Sequence, residues 1–178
     1  DAQATATVTA TGHAVGIDGG AGDDRLENTA EASITAFMKT HARADGNGEG
    51  GFIGSPEAVS NSRAEASATG IAGGEGADWI YTLGFIHAEA QAIADADSDA
   101  DVFAGNPSSE SATRIGATAA GIDAGTGSND IWNGGTVEAV TSVETRPYAA
   151  ADSDIASNRA DSSSDLSINT VGIRSGAE

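Results

Sequence analysis

The feature that most restricts how this chain can fold is a repeat. Gly-Ile pairs at Gly16-Ile17, Gly70-Ile71, Gly121-Ile122 and Gly172-Ile173 are spaced by 54, 51 and 51 residues. Periods of this length signal stacked units, none of which can bury its apolar face alone. Ahead of each pair runs an alternating segment. Its inward positions are Ala4, Ala6, Val8, Ala10, Gly12 and Ala14 in the first unit, and Ala64, Ala66 and Ala68 in the second. The third unit has Ile115, Ala117 and Ala119, and the fourth Leu166, Ile168 and Thr170. After the first three pairs come a glycine-rich turn and a second alternating run. That run reads Leu26, Ala32, Ile34, Ala36 and Met38, then Ile80, Ile86, Ala88, Ala90 and Ala92, then Ile131, Val137, Ala139, Thr141 and Val143. Period two over this length means strands with one buried face.

HAEAQAIADADSDAD (His87 to Asp101) has a helix-favouring composition by itself. Its counterpart one unit later, TVEAVTSVET (Thr136 to Thr145), is β-branched and alternating. Equivalent positions of a repeat share a conformation, so both are read as strands. Each coil is then a strand, a glycine-rich turn, a short strand, a small turn, a longer strand and a return loop. The small turns are marked by Asn28, Gly84 and Asn133-Gly134-Gly135. The return loops are expected at Gly46 to Glu57 and Gly105 to Glu110, where Gly, Pro and Ser collect. The expected fold is all-β, a parallel β-solenoid (β-helix) of three-plus stacked coils of about 51 residues, forming one domain over residues 1–178. An array of antiparallel hairpins is the alternative.

Composition narrows what such a solenoid does. Aromatics make up 4% of the chain, so the interior has to be thin and filled by small side chains. The 27 acids against 8 bases give a net charge of −19, which repels nucleic acid and anionic membrane surfaces. No apolar run approaches the ~18 residues of a membrane span, so membrane insertion is not expected. Without cysteine, neither disulfides nor thiolate metal sites hold the fold.

The glycine-rich turns are GGAGDDRLE (Gly19 to Glu27), GGEGADWIY (Gly73 to Tyr81) and AGTGSNDIW (Ala124 to Trp132). Glycines admit positive φ, so the backbone turns sharply and aims carbonyls at one point. Ca²⁺ takes six to eight oxygen ligands, which carbonyls and carboxylates supply. The turns resemble the calcium-binding repeats of RTX proteins, GGxGxDxUx with U a large aliphatic residue. Gly19, Gly20, Gly22, Asp24 and Leu26 match, as do Gly73, Gly74, Gly76, Asp78 and Ile80. The third copy keeps Gly125, Gly127 and Ile131 but has Ala124 for the first glycine and Asn129 for the aspartate. The resemblance covers one nonapeptide per coil, whereas RTX repeats run in tandem. It implies calcium ions along one edge, shared between successive turns: Asp24 with Asp78, and Asp78 with Asn129. Asp18 and Asp123, each just after its Gly-Ile, would add oxygen ligands or hydrogen bonds. Plain glycine turns with a capping aspartate are the metal-free alternative.

Other motifs carry less. DADSDAD (Asp95 to Asp101) begins like an EF-hand loop but has Ala100 where that loop needs glycine and Asn106 where it needs a bidentate Glu. It reads as an outward acidic row. His13, His41 and His87 fall at unrelated places in the repeat, which argues against zinc. Asp23-Asp24 is not expected to act as a catalytic pair, since adjacent strand residues face opposite ways. Trp79 and Trp132 should point outward, to stack on a sugar ring or a neighbouring subunit, with simple lateral packing as the plain alternative. The Thr5 to Thr11 row suggests ice binding but is broken in other coils by Glu65, Arg114 and Asp165.

The function expected is a calcium-binding structural solenoid, extracellular or at the cell surface, as a filament subunit, adhesin stalk or surface-layer component. No catalysis is expected, because the few bases are dispersed rather than gathered over a groove. The fourth coil opens at RSGAE (Arg174 to Glu178) and is not closed, and Asp1 to Val15 enter without a polar cap, so copies are expected to stack head to tail. A polysaccharide-binding or -processing β-helix and an ice-binding solenoid remain the alternatives.

Overall fold

The computed structural model describes residues 2–175, so expectations resting on Asp1 and on 176–178 lie outside the described residues. The described chain forms twelve strands and no helix. The first coil contains β1 (Gln3–Asp18), β2 (Arg25–Asn28), β3 (Ser33–Glu49) and β4 (Ile53–Gly54). The second contains β5 (Glu57–Ala72), β6 (Trp79–Thr82), β7 (Phe85–Val102) and β8 (Ala104–Gly105). The third contains β9 (Ser108–Asp123), β10 (Asp130–Asn133) and β11 (Thr136–Ser153), and β12 (Arg159–Arg174) opens the fourth.

Every strand pairs in parallel with its counterpart one coil away. The sheets are β1-β5-β9-β12, β2-β6-β10, β3-β7-β11 and the short pair β4-β8. This is the parallel β-solenoid that the repeat predicts. The antiparallel alternative is excluded, since all the ladders are parallel. The anchors fall in register: Ile17 faces Ile71, Ile71 faces Ile122, and Ile122 faces Ile173. The longer first spacing has a local cause. Pairing runs Asn28 with Thr82 but Ser33 with Phe85, so the first small turn holds two extra residues. A third extra residue lies between the pairs Glu49 with Asp101 and Ile53 with Ala104, where the first coil uses one residue more than the second.

Two long sheets face each other across an interior graded along its length. Nearest the glycine-rich turns lies an isoleucine cluster of Ile71, Ile80, Ile86 and Ile122, all fully buried. The middle is alanine, with Ala64, Ala68, Ala88, Ala90, Ala92 and Ala119 at zero exposure. Beyond it the interior becomes serine. Ser62 Oγ donates to Ala42 O at 2.7 Å and Ser109 Oγ to Ser98 O at 2.7 Å, each across to the opposite long sheet. A hydroxyl one carbon from the backbone reaches an opposing carbonyl only if the sheets lie well inside the ~10 Å usual for packed sheets.

The return loops are shorter than expected. β3 continues through Gly46 and Gly48 to Glu49, and β9 starts at Ser108. The glycines are strand residues at the narrow end: a Cβ on Gly46 would stand 2.9 Å from Val59 O, and one on Gly48 2.8 Å from Glu57 O. Their composition suits a loop, but their role is close approach of two backbones.

Candidate metal centre

The three glycine-rich turns stack as the coils do. Gly20, Gly74 and Gly125 have φ of 89°, 103° and 79°, and Gly22, Gly76 and Gly127 have φ of 115°, 133° and 107°. These are left-handed conformations that side chains resist, so the second and fourth glycines of the motif are fixed by backbone geometry. The first glycine is fixed by crowding: a Cβ on Gly19 would lie 2.3 Å from Gly73 O, and one on Gly73 2.4 Å from Ala124 O. Turn amides bond to the next turn, with Gly22 N donating to Glu75 O and Glu75 N to Gly20 O, both at 2.8 Å. Thr126 N donates likewise to Gly74 O at 2.8 Å.

Asp24, Asp78 and Asn129 form a ladder inside this stack. Asp78 Oδ1 accepts from Asp24 N at 3.0 Å, and Asn129 Oδ1 accepts from Asp78 N at 2.8 Å. One side-chain oxygen at each inter-coil step therefore holds the backbone of the coil before. The second side-chain atom separates the coils chemically. Asn129 Nδ2 donates to Ala124 O at 2.9 Å. Asp24 and Asp78 stand at the equivalent point with an oxygen instead, and both Oδ2 atoms are buried without a partner. Asp78 is 2% exposed. Its Oδ2 lies against Gly73, where an added Cβ would be 2.7 Å away. A buried acceptor left without a donor costs about 1–3 kcal/mol, and more when charged.

Asp18 and Asp123 cap their turns: Asp18 Oδ1 accepts from Gly20 N at 3.1 Å and Asp123 Oδ1 from Gly125 N at 3.3 Å. Asp123 also pairs with Arg174 at 3.1 Å. Asp23 Oδ1 accepts from Ala77 N at 2.8 Å, so it ties the first turn to the second. Of the residues read as ligands from sequence, Asp24 and Asp78 alone present a buried unpaired oxygen. Among the described residues no group of three or more His, Cys, Asp or Glu side chains is placed to hold a metal. A cation at these turns would thus be bound by one carboxylate with backbone carbonyls, which suits a hard oxygen-seeking ion rather than zinc.

The remaining candidates lie elsewhere. Asp95, Asp97, Asp99 and Asp101 form the outward row expected of β7, beside Asp45, Asn47 and Glu49 on β3 and Asp152 on β11. Burial, and then the charges of Asp101 and Asp97, hold the Asp99 carboxyl above the usual aspartate range. His41 pairs with Asp95 at 2.8 Å, and His87 with Glu138 at 3.1 Å. Trp79 and Trp132 face outward as expected, but Tyr81 joins them. Its ring stacks on Trp132 at 4.5 Å and on Trp79 at 5.4 Å, and Arg25 lies 4.4 Å from the Trp79 centroid. The spacing of Trp79, Tyr81 and Trp132 by two residues and by one coil was the signal for this stack. Compared with known proteins, the chain matches no family model, no curated protein and no solved structure.

Proposed function

We propose that this chain is a structural solenoid, without catalysis, whose first two glycine-rich turns each take a calcium ion. The observation that carries this reading is the contrast between Asp78 and Asn129. In the third turn an amide nitrogen meets the Ala124 carbonyl, whereas the first and second present a buried carboxylate oxygen with no donor. A cation supplies the missing positive charge. It also offsets self-repulsion in a molecule of net charge −19. The resemblance to RTX turns, on Gly19, Gly20, Gly22, Asp24, Gly73, Gly74, Gly76 and Asp78, points the same way. Asn129 spends both side-chain atoms on hydrogen bonds, so the reading assigns ions to two turns and leaves the third metal-free.

The setting we attach to this reading is an extracellular or cell-surface assembly. Among the described residues, strands β1, β2 and β3 at one end and β10, β11 and β12 at the other each leave one edge unpaired. Such edges recruit further strands, and head-to-tail stacking of copies is the corresponding assembly. Calorimetric titration of metal-free protein with calcium tests the core of the proposal. Saturable binding with a stoichiometry near two, and a melting point that falls on chelation, is the expected result. Absence of binding at millimolar calcium, with unchanged melting, would reject it.

A further inference from the structure

The outer face of the β1-β5-β9-β12 sheet contains a glycine that the fold does not require. Gly116 lies within β9, its φ is not in the left-handed region, and a Cβ there would meet nothing closer than Glu65 Cγ at 3.7 Å. Gly12, Gly16, Gly46, Gly70 and Gly121 differ, since each would drive a Cβ to 3.0 Å or less from a neighbour; Gly172, on the edge strand β12, is open as Gly116 is, but Gly116 is flanked by strands on both sides. Glycine inside a strand weakens it, and where no bulge, bend or neighbouring backbone demands it, close approach of a ligand is a reason for it.

Gly116 lies in the floor of a shallow pit of about 460 Å³, within the size range of small-molecule sites. Its row runs Thr11, Glu65, Gly116 and Ser167 across the four strands, parallel to the solenoid axis. At ~4.8 Å per strand step this is about 14 Å long. Thr11, His13, Ser67, Thr118 and Ser167 line it, and their side chains make no hydrogen bond within the described residues. The charges around it cancel in pairs: Glu65 bridges Arg63, and Asp165 bridges Arg114 at 3.2 Å. On a molecule of net charge −19 this is a locally neutral patch.

We propose that the pit is a binding site for a neutral linear oligosaccharide lying along the solenoid axis. Free hydroxyls, an imidazole and two carboxylate–guanidinium pairs offer alternating donors and acceptors, which is what vicinal sugar hydroxyls need. Charge balance favours an uncharged chain over an acidic one. The 14 Å row suits several sugar units rather than a single ring.

The test is amide NMR titration of the whole chain, in calcium, with neutral hexasaccharides of glucose, mannose and galactose, and with an oligogalacturonate. Saturable shifts at Thr11, Glu65, Gly116 and Ser167 with at least one neutral sugar are expected. Gly116→Val obstructs the middle of the pit with a strand-favouring side chain and should weaken that binding at least tenfold while the melting point holds or rises. The surface double variant Thr11→Val with Ser167→Ala, which leaves packing untouched, should weaken it at least fivefold. The site is rejected if no neutral sugar shifts these amides, if the oligogalacturonate alone does, or if both variants bind as the parent does.

Discussion

One atom distinguishes the three turns. Asp78 Oδ2 and Asn129 Nδ2 occupy equivalent points, and the fold satisfies only the second. Asp78→Asn should therefore keep the Oδ1 contact to Asp24 N, gain a donor toward the Gly73 carbonyl and remove a buried charge. We expect metal-free protein carrying Asp78→Asn to be more stable by about 1–3 kcal/mol, and to bind one calcium ion fewer. Denaturant melts in chelator and calorimetry in calcium read the two effects. A loss of stability in chelator would show that the carboxylate is satisfied without metal. The reverse change, Asn129→Asp, should add a calcium-dependent component to stability that the parent lacks. The identity of these residues was legible in the repeat, because both departures of the third turn occur within one nonapeptide. Their consequence was not: that Oδ1 is spent on the neighbouring coil's amide depends on register between coils, which no single turn encodes.

At the scale of strands, alternation located the long sheets and their inward faces well, because a parallel solenoid with a one-sided core is written in period two. It failed at Gly46 and Gly48, where glycine means backbone contact and not a turn. Packing between elements was also hidden. Met38 on β3 is accommodated by Gly12 on β1, where a Cβ would lie 2.3 Å from the Met38 sulfur. In the second coil the matching inward positions are Ala66 and Ala90. Gly12→Ala should accordingly cost about 1–3 kcal/mol by overpacking, and Met38→Ala in the same chain should recover part of it. A double-mutant cycle by denaturant melts measures that coupling, and strict additivity would mean the pair does not share space. The outward row of β7 gives a prediction of opposite sign from the usual carboxylate. Asp99 has its folded-state carboxyl raised, by burial first and then by Asp101 and Asp97. The folded state thus holds its proton where the unfolded chain has released it, and stability falls as pH rises from the ordinary aspartate value of 3.8 through the raised one. Asp99→Asn should raise the melting point at pH 7 in low salt. The gain should vanish below pH 3.8 and shrink with added salt. An equal gain at both pH values would point to local packing instead.

For the whole molecule, the solenoid is close to one-dimensional, each coil contacting only its neighbours, so stability is distributed coil by coil. The third glycine-rich turn closes with the Asn129 amide, while the first and second depend on a cation in the proposed reading. Metal removal should then loosen one end of the edge and spare the other. Hydrogen exchange resolves this amide by amide. In calcium, the amides of Gly22, Asp24, Glu75 and Asp78, all bonded to the adjacent turn, should be protected. In chelator, Gly22, Asp24 and Glu75 should exchange at least tenfold faster, a loss of about 1.4 kcal/mol or more of local stability. Asp78 N bonds Asn129 Oδ1, and Thr126 N bonds Gly74 O at 2.8 Å, so these two amides report the junction with the metal-free turn. They should change less than the first group. Equal acceleration at all of these amides would mean that the coils unfold as one unit and that calcium acts on the solenoid globally. No acceleration anywhere would remove calcium from the account and leave Asp24 and Asp78 as buried carboxylates held by the ladder alone.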